Sequence, residues 1–371
     1  MNLLDKLNDN DNKIVELVKE AAIKQNINVF MIGGVVRDLI MGNKIKDLDF
    51  LLEGSAINFV NNSEFKIKSV HEAFNTAKVE INGKEIDIAS TREEIYKNQG
   101  ALPSVLKTGV KIEDDIKRRD FTINSIALNI LTNKITDLFC GQNDIKNKTL
   151  RVLHKNSFKD DPTRILRGLD FKYRFNFDFS AETDNLIEEC RKSPSFENLS
   201  IDRIYLTLNK VFSYSYSNLI LNEILTRNIY KIWMKRTDLN PSEIKKLDEV
   251  KNLFNVEKQS NLYISALESP FFARAPLKDD FEIYEFFKKF NEVQLALYYF
   301  KTNDDKAKKY LNLKDIKIFT NGKDLLNLGF KEGKFIGIIL NNILKEKILN
   351  PKLFNSKEDE IKFILNNYSP D

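Results

Sequence analysis

Apolar positions change period several times along the first 150 residues. In NKIVELVKEAAIKQ (12–25) they recur three and four apart, which predicts a helix. VFMIGG (29–34) is a short apolar run closed by two glycines and reads as a strand. DLDFLL (47–52) and AKVEINGKEIDIAS (77–90) alternate as strands do, the second folded into a hairpin about Asn82-Gly83. FTINSIALNIL (121–131) reads as a helical run. From about residue 160 the strand patterns stop. DPTRILRGLDFKYRF, AETDNLIEECRKS, SIDRIYLTLNKVF and most of the remaining chain carry helical periodicity, broken once by the proline-containing LESPFFARAPLKDD. The fold class is α+β: a mixed N-terminal head with a small sheet, then an all-helical C-terminal part.

Length and composition narrow this picture. A chain of 371 residues exceeds one ordinary core and predicts two to four modules. With 58 basic against 54 acidic residues, the net charge of +4 excludes a histone-like polycation. A nucleic-acid partner would have to meet a local basic surface. Cys140 and Cys190 have no metal-ligand spacing and suggest no disulfide framework, which fits a reducing cytoplasm. MNLLDKLNDNDNK lacks the basic and apolar regions of a signal peptide, and no run of about 18 apolar residues offers a membrane span.

Four of the 13 glycines fall in MIGGVVRDLIMGNKIKDLDFLLEG (31–54). A strand, Gly33-Gly34 and then VVRDLIMG predicts a strand-turn-helix. Glycines let a ligand approach the backbone, and a helix N-terminus offers N–H groups to an anion. The turn is not GxGxxG and lacks the GK[ST] of a P-loop. Arg37, one turn into the helix, can add a charge-assisted bond to a phosphate, though a capping turn with a surface arginine has the same pattern.

Asp47 and Asp49 are placed in one strand, where residues two apart face the same side and Leu48 and Phe50 face the core. Two carboxylates on one face repel unless a cation lies between them. Mg²⁺ takes one or two carboxylates together with phosphate oxygens and water. Asp87, pointing opposite to Ile86 and Ile88, is a third candidate. A polar face on a half-exposed sheet would look the same in isolation. Taken together, the parts describe a triphosphate on the glycine turn. Two metal ions about 3.5–4 Å apart would hold its α-phosphate and activate a hydroxyl.

Two later motifs extend the site. KRRDFTINS (117–125) sets Arg118, Arg119 and Asp120 beside one another, suited to a nucleotide and its ribose; Asp120 also suits a helix cap. In DDPTRILR, Asp161 is a candidate N-cap and Pro162 suits the first helical position. Arg164 and Arg167 follow at three-residue steps, close to one face. An acceptor beside a donor matches the edge of cytosine or adenine and opposes that of uracil or guanine.

GGVVRDLIMG…DLDFLLEG, IDIASTREEIY…GALPSV, DDIKRRDFTINSIAL, RVLHKNSFKDDPTRILR and SIDRI occur in the order and approximate spacing of the class II tRNA nucleotidyltransferases, and the chain resembles that family. Its members are the CCA-adding enzymes with their CC-adding, A-adding and bacterial poly(A) polymerase relatives. The resemblance runs from about residue 30 to 225. NGKDLLNLGFKEGKFIGIILNNILKEK (321–347) resembles the tail of that family.

The resemblance implies a nucleotidyltransferase head over 1–150 with a five-stranded sheet. A helical neck over 151–225 would read the base, and a helical body and tail over 226–371 would bind the tRNA acceptor arm. It implies addition of C and/or A to the tRNA 3′ end from CTP and ATP, with release of pyrophosphate. Asp47 and Asp49 would hold Mg²⁺, with Asp87 in the catalytic cluster. Gly33, Gly34 and Arg37 would meet the triphosphate, and Arg119 with Asp120 the ribose. Asp161 and Arg164 would form the base-reading pair, supported by Arg167. Two positions depart from the family: Asp170 where arginine is frequent, and Asn75 where glycine is usual.

Rival readings are an untemplated poly(A) polymerase and a non-catalytic RNA-binding relative. The acidic end at Asp371 disfavours the first and retention of both Asp47 and Asp49 disfavours the second. A phosphohydrolase tail would need His-Asp ligands. The two histidines, His71 and His154, precede residue 160, and neither is followed by Asp.

Overall fold

The computed structural model describes residues 3–192, 199–268 and 272–370. They cluster into two compact units that divide between Arg236 and Thr237, so the expected head and neck fall in one unit. No helix among the described residues is long and apolar enough to cross a membrane.

In chain order, the first strands are β1 (Val29–Ile32), β2 (Asp49–Leu52), β3 (Lys66–His71), β4 (Thr76–Ile81), β5 (Lys84–Ser90), β6 (Arg92–Ile95), β7 (Ser104–Thr108), β8 (Ile126–Asn129) and β9 (Ile135–Asp137). Seven of them, two more than the resemblance implied, form one sheet in the order β3-β4-β5-β2-β1-β8-β9. β6 and β7 form a separate hairpin. β2 runs parallel to β5, and the other pairs of the large sheet are antiparallel. The expected turn at Asn82-Gly83 joins β4 to β5, with Ile81 opposite Lys84.

Three expectations change. Asp47 precedes β2 and is not part of it. FTINSIALNIL is not a helix: Ile126–Asn129 is a strand, buried at all four positions between β1 and β9. A strand covered on both faces shows no alternation, so its apolar run cannot be told from a buried helix by period alone. Strand signals also continue past residue 160, because β11 (Asp178–Phe179) pairs in parallel with β10 (Thr149–Leu150).

The helices of this unit are α1 (Asp9–Gln25), α2 (Gly34–Met41), α3 (Ala56–Asn61), α4 (Ile112–Lys117), α5 (Gly141–Lys146), α6 (Ser157–Asp160), α7 (Thr163–Phe175), α8 (Ala181–Lys192), α9 (Ile201–Val211) and α10 (Ser217–Thr226). Asn75 adopts a left-handed φ of 47°, a conformation its short side chain tolerates. Its Oδ1 accepts from the Ile57 N–H at 3.1 Å and the Ser55 hydroxyl at 3.2 Å, at the start of α3. The departure from glycine thereby becomes a cap.

Phe121 packs the sheet-bearing part of this unit against α7. It is fully buried and meets Phe171 of α7 edge-on, with ring centroids 5.7 Å apart. α7 comes close because Gly168 has no side chain: a Cβ there would lie 2.8 Å from both Phe121 Cζ and Phe179 Cε1.

The second unit is helical. Phe286, Phe287, Phe290 and Tyr298 pack as tilted and edge-on rings. The expected tail maps onto helices Gly322–Asn327 and Lys334–Leu349. Ile339 and Ile343 pack with Leu325, Phe330, Phe354 and Ile364. Ser269–Phe271 of the proline-containing patch lie outside the described residues.

Gly168→Val tests the packing of α7 on Phe121. Overpacking a filled core costs about 1–3 kcal/mol, and helix propensity returns only a few tenths of that. A lower urea midpoint, by about 1–2 kcal/mol in stability, is expected. An unchanged midpoint would mean that the two rings yield freely.

Candidate active site

β1 ends at Ile32, and the chain turns through Gly33 into α2. Gly33 has φ 72° and ψ −127°, a combination for glycine. A Cβ there would stand 3.2 Å from Arg119 Nη1, so the Arg119 guanidinium rests on the turn. The first N–H groups of α2 begin at the same place.

Across the sheet, Asp49 and Asp87 are register partners on parallel strands. Directly opposed residues of neighbouring strands share a face. Both aspartates are exposed, while Leu48, Phe50, Ile86 and Ile88 are buried on the other side, as their alternation predicts. Asp47 is exposed just before β2. Partial enclosure, then the Asp87 and Asp47 charges, raise the Asp49 carboxyl above its ordinary value; Arg119 and Lys78 oppose the shift. Among the described residues no three His, Cys, Asp or Glu side chains are gathered to hold a metal by themselves. The face is an open set of carboxylates.

Asp115 organises the arginines. It is fully buried on α4 and accepts from Arg118 at 2.8 and 3.0 Å and from Arg119 at 3.0 and 3.2 Å. It also accepts from the Arg92 N–H at 3.0 Å. Burial alone would raise this carboxyl, but the two guanidinium groups hold it below the usual range. Asp115 was not among the expected residues. Its signal was the three- and four-residue spacing to Arg118 and Arg119.

Arg37 turns inward and is 4% exposed. Its Nε and Nη2 donate to Asp38 at 3.0 and 3.1 Å, its Nη1 to Asn124 at 2.6 Å, and its plane lies 4.4 Å from the Phe175 ring centre. Asn124 in turn donates to Asp120 at 3.2 Å, and Asp120 Oδ2 lies 2.6 Å from Arg167 Nη2. A continuous polar chain thus runs from α2 to α7. Burial would raise the Asp120 carboxyl, yet the charges of Arg167 and Arg164 bring it below the usual range.

Asp161 lies immediately before Pro162 and caps α7 as expected, accepting from the Thr163 N–H at 3.1 Å and its hydroxyl at 2.6 Å. The arginine that pairs with it is Arg203 of α9, at 2.9 Å, which also donates to the Gly100 carbonyl at 2.8 Å. Arg164 is buried and makes other bonds: to Ser157 Oγ at 2.8 Å, the Arg118 carbonyl at 2.9 Å and Tyr96 Oη at 3.2 Å. Arg203 belongs to the SIDRI motif, and its approach to Asp161 depends on tertiary packing that no local spacing reveals. Asp170 is buried and accepts from the Tyr216 hydroxyl at 2.6 Å. Its negative charge ties α7 to the turn before α10.

Residues 29–151 match the poly A polymerase head domain. The A-adding tRNA nucleotidyltransferase of Halalkalibacterium halodurans is 40% identical over 197 residues, covering 50% of this chain and 45% of that protein. Over these segments the chain is similar to class II tRNA nucleotidyltransferases. The CCA-adding enzyme of Streptococcus gordonii is 27% identical over 314 residues, 84% of this chain and 72% of that protein. A solved apo form of a CCA-adding enzyme superposes with a TM-score of 0.79 at 23% identity, covering 99% of this chain and 98% of that one, and shows the fold. The chain spans less than half the length of the first curated relatives that it matches.

Replacing Asp115 with asparagine tests the arginine clamp. Loss of one partner from a buried ion cluster costs about 3–5 kcal/mol, read at pH 7 by urea unfolding. The Asp115 carboxyl is depressed in the folded state, so its contribution is present above the unfolded value near about 3.9. It fades as pH falls through the lower folded value. The difference between wild type and Asp115→Asn is therefore expected to narrow below about pH 4. Equal stabilities at pH 7 would refute the clamp.

Proposed function

We propose that this chain is a template-independent tRNA nucleotidyltransferase of the cytoplasm. It adds C, A or both to the tRNA 3′ end from CTP and ATP and releases pyrophosphate. The observation that carries the reading is the shared face of Asp49 and Asp87, with Asp47 beside it and the Gly33-Gly34 turn under Arg119. The names of the relatives, A-adding and CCA-adding, support it.

In this reading the triphosphate lies along the Gly33-Gly34 turn and the first N–H groups of α2, with Arg37 behind the turn and Arg119 on it. Asp120 and Arg119 position the ribose. The tRNA 3′-hydroxyl oxygen forms a bond to the α-phosphorus while the bond from that phosphorus to the bridging oxygen breaks, and pyrophosphate departs. The hydroxyl proton passes to Asp87, the carboxylate opposite Asp49. Asp47 and Asp49 suit a hard divalent cation such as Mg²⁺, because their mutual repulsion with Asp87 is relieved by positive charge and the face leaves room for phosphate oxygens and water. When bound, such an ion neutralises phosphate charge and lowers the cost of ionising the hydroxyl. Asp161, fixed by Arg203 and Thr163, offers a carboxylate to the exocyclic amino group of C or A, with Arg164 and Arg167 on the same helix.

Purified protein incubated with tRNA ending at the discriminator base, and with tRNA ending in CC, each with CTP or ATP alone, separates CCA, CC and A products. A long A tract would favour a poly(A) polymerase instead. Asp47→Ala and Asp49→Ala are each expected to abolish addition while tRNA still binds. A loss of tenfold or less in either would remove these carboxylates from the metal site. Asp161→Ala is expected to lower the kcat/KM ratio of CTP over UTP by about tenfold to a hundredfold, since an unpaired buried polar group costs about 1–3 kcal/mol. An unchanged ratio would leave Asp161 a helix cap.

A further inference from the structure

The carboxylate row does not end at Asp87. On β4, Lys78 is the register partner of Asp87, which is the partner of Asp49. The row across three strands is thus Lys78, Asp87, Asp49, all on the face opposite buried Ile86, Ile88 and Phe50. On the far side of Lys78 the β3 partner is Ser69, which brings no charge. The Lys78 ammonium lies 3.7 Å from Asp87 Oδ1 and 3.8 Å from Glu85 Oε2, so it bridges two carboxylates of β5. Neither distance is that of a hydrogen bond. The contact is one of charge.

We propose that Lys78 is a positioning residue of the phosphoryl-transfer site, a resident cation that holds Asp87 in the carboxylate row and sets how tightly the row takes a divalent cation. This rests on the nucleotidyltransferase reading. The face carries Asp47, Asp49, Glu80, Glu85 and Asp87 against Lys66, Lys68, Lys78 and Arg119; Glu80 engages Lys66 and Lys68, and Asp115 engages Arg119. Lys78 is the cation set against Asp87. Its side chain is 42% exposed and that of Asp87 60%, so the contact adds little to folding stability. Its effect falls on ion binding. A fixed positive charge within a Debye length of a divalent ion opposes the ion's binding, while the same charge draws the Asp87 carboxylate toward β4 and limits where it can point.

Removing the charge therefore separates two effects that a merely structural lysine would not move. The test uses the full chain as wild type, Lys78→Met and Lys78→Arg. Mg²⁺ binding is measured by isothermal titration calorimetry without nucleotide, and CTP incorporation into tRNA is measured at saturating Mg²⁺. Lys78→Met is expected to bind Mg²⁺ about three- to tenfold more tightly and to turn over about tenfold more slowly. Lys78→Arg should keep the wild-type affinity and recover most of the rate. Unchanged Mg²⁺ affinity in Lys78→Met, or an arginine variant as altered as the methionine one, overturns the proposal. These outcomes apply when wild type incorporates CTP and Asp49→Ala does not. If wild type incorporates nothing and Asp49→Ala binds Mg²⁺ as wild type does, the nucleotidyltransferase reading falls and takes the role of Lys78 with it.

Discussion

The buried carboxylate of Asp115 is the constraint on which the site depends. One side chain on α4 fixes two consecutive arginines in opposite uses. Arg119 is held over the Gly33 turn, and the Arg118 carbonyl receives Arg164 from α7. A buried carboxylate with one guanidinium would be costly; with two forks and a backbone N–H its oxygens are satisfied. Without Asp115 the two arginine charges, each less than one-fifth exposed, would keep among the described residues only the longer 3.4 Å pairing of Arg118 with Glu94.

The glycine turn and the carboxylate face meet different demands on the same sheet. In the proposed function β1 delivers backbone N–H groups to an anion, and its exit is a pair of glycines where no side chain fills the space. β2 and β5 would present negative charge: aspartates stand on one face while the residues beside them on the other face are apolar and buried. Their parallel pairing places Asp87 beside Asp49, although α3, β3 and β4 all intervene in the chain.

Local patterns made the placement of several candidate residues legible. Alternation placed Asp49 and Asp87 outward, the two glycines marked the turn, and the Asp161-Pro162 step marked the start of α7. The parts that stayed hidden depend on packing across distance. FTINSIALNIL looked helical because a strand covered on both faces loses its period. Two further strands of the large sheet went unread for other reasons: β9 is only three residues long, and β3 is exposed throughout and shifts register between Ile67 and Ser69. The partner of Asp161 was sought on its own helix, where spacing points to Arg164, and it comes from α9. Asp115 stood inside DDIKRRDFTINSIAL without being singled out, and Lys78 carried no motif of its own; each gains its meaning from what it faces.

The polar chain Arg37–Asn124–Asp120–Arg167 adds a further physical consequence. Arg37 lies in the helix that starts at the Gly33-Gly34 turn, and Arg167 lies one turn beyond Arg164 on α7. The segment between them is buried and its acceptors are shared, so Asn124 cannot move toward Arg37 without leaving Asp120. Phe175 of α7 closes the loop by stacking on the Arg37 guanidinium. The turn that would cradle the triphosphate and the helix that would read the base are therefore held by one set of contacts. Such a frame has little freedom to place a base correctly while misplacing its phosphates. In the proposed function, recognition of the base edge would then act on the geometry of the reacting phosphorus, the route by which a site without a nucleic-acid template can turn base identity into rate.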